Sequence, residues 1–135
     1  MADYRKPLPQ PTPETKPFWD GAKKHELWVQ RCKDCRKSYF YPRPFCPRCF
    51  SWNVEWSKTS GKGKLYSFVI NHRPPPNFQG PYVIAVVELD EGARMMTNLV
   101  GVDPSPDKIR CDMPVEVVFE DVTETITLPK FRPVG

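Results

Sequence analysis

Four cysteines carry most of the chemistry this chain can offer. Cys32, Cys35, Cys46 and Cys49 form two C-x-x-C pairs within CKDCRKSYFYPRPFCPRC, with ten residues between the pairs. A C-x-x-C turn brings two sulfurs onto one metal ion, and a second turn completes a tetrahedron, the arrangement zinc takes in structural sites. Four thiolates leave no open coordination position, so the spacing predicts structural rather than catalytic zinc. Iron in the same sulfur tetrahedron is the alternative and would imply one-electron transfer. The setting favours zinc. Arg31, Lys33, Arg36, Lys37, Arg43 and Arg48 lie in or beside the turns, whereas one-iron carriers tend to be acidic there. The fifth cysteine, Cys111, sits between Arg110 and Asp112 with no histidine near it in sequence, and reads as a surface thiol.

Little other catalytic chemistry is visible. The two histidines are His25, among Lys24 and Glu26, and His72, at the end of an apolar run before a proline-rich loop. No G-x-S-x-G, phosphate-binding loop or dinucleotide glycine motif occurs. From the residues alone, the chain is a zinc-stapled binding or scaffold module. Charge divides it: residues 1–64 carry +8 and residues 65–135 carry −4. A basic half suits nucleic acid or an anionic ligand. It also suits simple compensation, because a four-thiolate zinc site carries net charge −2.

The elements that must position these groups follow from the pattern. With 135 residues the chain has room for one core plus a metal module. There is no apolar run long enough to span a membrane and no apolar leader, so a cytoplasmic protein with reduced thiols is expected. Residues 1–26 read as a proline-rich arm and a short helix over 17–26. The arm is either mobile or laid on a partner. Gly21 weakens the helix. Phe18 and Trp19 on it either cap this chain's core or dock on another subunit. Residues 27–59 read as the zinc ribbon, with strands at 27–32, 38–41 and 52–59. Residues 60–135 read as an OB-fold with strands at 64–72, 82–89, 94–102, 115–120 and 126–131. In the first of these, Tyr66, Phe68 and Ile70 share one face and Leu65 and Val69 the other. Residues 82–89 are almost continuously apolar, which predicts burial on both faces. The fold expected is mainly β: a short N-terminal helix and a zinc ribbon, then a five-stranded antiparallel barrel of the OB type, with an open sandwich as the alternative.

The segments PFWDGAKKHELWVQRCKDC, CPRC, SGKGKLYSFVINHRPP, PYVIAVVELDEGARMMTNLVGVD, MPVEVVFEDV and LPKFRP occur in that order. Together they resemble the acyl-CoA-associated domain-of-unknown-function family that joins a rubredoxin-like zinc ribbon to an OB-fold. The likeness covers roughly residues 15–134. It implies a small non-catalytic partner of a thiolase-like subunit, in a hetero-oligomer that cleaves an acyl-CoA by thiolysis or retro-aldol chemistry. The nucleophile and acid–base groups would lie on that partner. The metal ligands carry over as Cys32, Cys35, Cys46 and Cys49. A CoA thioester at the shared interface, or the partner subunit itself, would meet this chain at His72, Arg73, Phe78, Lys130 and Phe131. The competing expectation is a nucleic-acid binder, since OB barrels and zinc ribbons both serve that role and Tyr39, Tyr41, Tyr66 and Phe68 are candidate stacking platforms. A net charge of +4 and an acidic barrel half speak against it.

Overall fold

The structure, a computed structural model, describes residues 6–134. Residues 1–5 of the proline-rich arm lie outside the described residues. The chain enters through α1 (Lys16–Lys23), where Pro17 occupies the first turn and its missing N–H costs nothing. At eight residues α1 is too short to persist alone, and burial of Phe18, Trp19 and Ala22 holds it in place. It ends at Lys23, short of the expected Glu26, because His25 turns left-handed at φ +60°. The His25 N–H donates to Ala22 O at 2.9 Å and the Glu26 N–H to Gly21 O at 2.8 Å, a Schellman closure. Gly21 proves necessary: a Cβ there would strike the Trp28 ring.

Two sheets follow. The first pairs β1 (Trp28–Cys32), β2 (Ser38–Tyr39) and β3 (Val54–Lys58) in the order β2-β1-β3, antiparallel throughout. The second is a closed barrel of β4 (Lys62–Asn71), β5 (Tyr82–Leu89), β6 (Arg94–Leu99), β7 (Pro114–Asp121) and β8 (Thr127–Pro133). Its order is β4-β5-β6-β8-β7, with β7 returning to β4. The expected OB-type antiparallel barrel is present, with one parallel seam. A closed ring of five strands cannot alternate direction at every seam, and the parallel seam falls between β6 and β8, at Leu99 and Phe131.

Two facial assignments also change. The register of β4 against β5 shifts between Leu65 and Ser67, so one extra residue enters β4. Leu65 is fully buried, Phe68 and Ile70 pack on the same core, and Tyr66 and Val69 turn outward. In β5, burial alternates: Val83, Ala85, Val87 and Leu89 face inward, while Tyr82, Ile84, Val86 and Glu88 are half-exposed. That strand is therefore buried on one face only.

One core joins the parts. Phe18 and Trp19 of α1 and Leu27 and Val29 at β1 pack with Leu65, Val87, Leu89, Val115 and Phe131 of the barrel. Phe18 and Trp19 thus serve this chain's own core.

Candidate metal centre and cleft

The sulfurs of Cys32, Cys35, Cys46 and Cys49 all lie within 4.8 Å of one another. β1 delivers Cys32 at its C-terminal end, and the turn after it brings Cys35 back. The second turn, after the β2 excursion, supplies Cys46 and Cys49. Sγ of Cys32 and Cys49 are 3.6 Å apart, and those of Cys35 and Cys46 3.7 Å. The Cys35 N–H donates to Cys32 Sγ at 3.4 Å, and the Arg48 N–H to Cys46 Sγ at 3.4 Å. Each pair is followed by a left-handed residue, Arg36 and Phe50, both at φ +64°. The two turns are stitched by Asp34, whose carboxylate accepts the Ser51 hydroxyl and Asn53 Nδ2. Those donors, Ser51 first, hold Asp34 below the usual carboxylate range.

The electrostatics fit a divalent cation. The Cys35 N–H leads in drawing the Cys32 thiol down. Burial pushes Cys46 up, but the N–H groups of Cys49 and Arg48 outweigh it and bring it to about 7. The Ser51 N–H favours a Cys49 thiolate, yet burial and the other three sulfurs push Cys49 up to about 12. Four sulfurs this close cannot all ionise unaided. A bound Zn2+ lets them, and these four residues are the ones that would hold it.

The other predicted residues divide. Phe78 and Lys130 line one cleft of about 260 Å³, together with Lys6, Tyr82 and Asn98. The Phe78 and Tyr82 rings stack with centroids 5.7 Å apart, and Lys6 Nζ lies 5.1 Å above Phe78. Lys130 is largely buried and bonds Glu120 at 3.0 Å. His72 and Arg73 are exposed in the loop after β4 and are not among the residues lining this cleft. Phe131 is corrected: its ring is fully buried in the barrel and has no surface for a ligand. The sequence does not single out Lys6, Tyr82 and Asn98. Tyr82 opens an apolar strand and Asn98 sits on the outward side of β6, so only the fold brings them together. Cys111 is exposed, as expected.

The outer face of β4, β5 and β6 is apolar. Register places Val69 beside Ile84 and Val86 beside Met96, and Val69 and Met96 are 61% and 71% exposed. At one end of this face, Lys64 and Arg94 both pair with Glu88, at 3.7 and 2.9 Å. Among the described residues no helix is long and apolar enough to cross a membrane.

A closed four-cysteine ribbon joined through one core to an OB barrel defines a zinc-stapled β module. Residues 19–55 match the family described as ChsH2, rubredoxin-like zinc ribbon domain, and residues 56–120 match ChsH2, C-terminal OB-fold domain. The chain belongs to this acyl-CoA-associated DUF35 family. It is 44% identical over 118 residues to a probable enoyl-CoA hydratase alpha subunit of Thermomonospora curvata, covering 86% of this chain but only 36% of that protein. It is 43% identical to a DUF35 domain-containing scaffold protein of Methanocaldococcus jannaschii, covering 70% of this chain and 67% of the relative. It is 33% identical to the benzoylsuccinyl-CoA thiolase subunit BbsA of Thauera aromatica, covering 70% of this chain and 63% of that protein. Among solved structures, a chain of the Ltp2-ChsH2(DUF35) aldolase superposes with a TM-score of 0.81 at 40% identity, covering 93% of this chain and 98% of that one.

Proposed function

We propose that this chain is the non-catalytic, zinc-stapled small subunit of a heteromeric thiolase-type acyl-CoA complex. Carbon–carbon cleavage, by thiolysis or retro-aldol chemistry, takes place on the partner subunit. This chain supplies assembly and part of the surface that faces CoA. Relatives named as thiolase, aldolase and scaffold proteins support the reading. The observation that carries it is the outward apolar face of β4, β5 and β6, where Val69, Ile84, Val86 and Met96 lie side by side with the nearby charges already paired. An OB barrel that binds nucleic acid uses this region with free cations and stacking rings. An apolar face whose charges are already paired suits a permanent protein partner. The cleft at Phe78 and Lys130 is the CoA-facing part: aromatic rings there stack on a flat base, and ammonium groups donate to phosphate oxygens.

The test is co-expression with a thiolase-type subunit. The two are expected to co-elute and to cleave an acyl-CoA thioester only together. Met96→Glu is expected to break the complex while the free chain melts as the wild type does. A chain that binds no such subunit, or a thiolase-type subunit equally active alone, would sink the reading. So would salt-sensitive micromolar binding of single-stranded DNA.

A further inference from the structure

We infer that the tip of the zinc ribbon is a second contact, a knob that seats in an apolar socket rimmed by carboxylates on the catalytic subunit; this rests on the function proposed above. Phe50 and Trp52 are 70% and 72% exposed. They are one patch, because the Phe45 ring lies 6.4 Å from Phe50 and 5.4 Å from Trp52. Phe50 is also left-handed at φ +64°, a conformation that costs a non-glycine residue about 1–2 kcal/mol. A ring so exposed on a left-handed backbone gains little for the isolated chain beyond its contact with Phe45. Arg36 occupies the same place after the first cysteine pair and there presents a cation, which water solvates well.

The knob is rigid before any partner arrives. Asp34 accepts Ser51 and Asn53 across the two turns, and the Lys33 N–H donates to Asn53 O at 2.9 Å. Preorganisation of this kind lowers the entropic cost of docking. The surrounding charge indicates what the socket looks like. Among the described residues, Lys33, Arg36, Lys37, Arg43 and Arg48 have no carboxylate within 4.0 Å. Arg43 and Arg48 are each two residues from a ring of the knob. The zinc site, at net charge −2, balances only part of this surplus. A Trp, a Phe and free arginines are the make-up of an interface hot spot. The Phe45 ring is tilted against Phe50 and Trp52 at 41° and 48° and joins them into one surface.

Phe50→Gly and Trp52→Ser test this in the assembled complex. Glycine suits the left-handed position, so Phe50→Gly is expected to leave the melting temperature of the free chain unchanged or higher. Affinity for the thiolase-type subunit is expected to fall at least about 30-fold in the double variant. Wild-type affinity is expected to fall between about 50 and about 300 mM salt, and this dependence is expected to shrink when Arg43 and Arg48 are both changed to Gln. If the wild type binds no thiolase-type subunit, the proposed function fails. If the wild type binds and the double variant binds within about twofold, the knob fails while that function stands. A dimer of this chain alone that Phe50→Gly dissolves, or uptake of oligo(dT) that Trp52→Ser abolishes, would also overturn the assignment.

Discussion

At the scale of single residues, Asp121 ties three elements together. Its carboxylate accepts the Thr127 hydroxyl from β8 and bonds His25 Nε2 at 3.1 Å from the end of α1. The His25 ring stacks on Phe119 of β7 with centroids 5.2 Å apart. Thr127 first, then His25, hold Asp121 below the usual carboxylate range. A depressed carboxylate contributes stability that is complete above its unfolded value of about 3.9 and is lost as pH falls through its folded value. Thr127→Val keeps the shape and removes the main donor. The wild type is expected to melt above this variant at neutral pH, and the gap is expected to narrow below about pH 4. A gap that stays constant through acid unfolding would show that Asp121 is not the cause. Residues differ in how openly their sequence declares them. The cysteines are legible because metal geometry fixes their spacing. His25 is not, because the closure it makes is normally marked by glycine. Phe131 reads as a tail contact until the barrel closes over it.

At the scale of elements, period-two alternation locates every strand within a few residues, but it cannot count an inserted one. The bulge in β4 shifts each side chain after Leu65 by one position, which moves Val69 from core to surface. No glycine or proline marks it. Gly63, one turn of the pleat earlier, is legible only as a turn residue at the strand start. In the barrel it lets β4 press against β5, where a Cβ would strike the Glu88 carbonyl and lie 2.9 Å from Leu89 Cα. Both atoms are backbone in a paired strand and cannot swing aside. Gly63→Ala is therefore expected to destabilise the chain by about 2–4 kcal/mol, measured by denaturant unfolding. An alanine variant within about 0.5 kcal/mol of wild type would mean that β5 yields at that point.

At the scale of the molecule, the ribbon and the barrel are not separate bodies joined by a tether. Val29 of β1 and Phe18 of α1 are buried in the same cluster as Leu65, Val87 and Phe131. Phe40, in the excursion between the cysteine pairs, lies 5.2 Å from Phe18. Metal holds that excursion in place, so metal loss propagates: the cysteine turns open, Phe40 withdraws and Phe18 loses a wall. From the sequence alone, Cys32→Ser or Cys49→Ser is expected to unfold residues 27–56 rather than merely slow a reaction. The shared core enlarges that expectation. Zinc binding in comparable peptides is worth roughly 10–16 kcal/mol, more than most single domains possess in total stability. A strong chelator or Cys49→Ser is therefore expected to lower the melting of the barrel as well as the ribbon, in one transition. Hydrogen exchange at Val87 and Val117, far from the sulfurs in sequence, is the measurement. Faster exchange at both on chelation supports a common core. Unchanged exchange there, with the ribbon amides fully exposed, would mean that the barrel stands without its staple. The first outcome makes zinc a condition for the apolar face at Val69 and Met96 as well as for the knob at Phe50 and Trp52, so that demetallation would release the proposed partner from both surfaces at once.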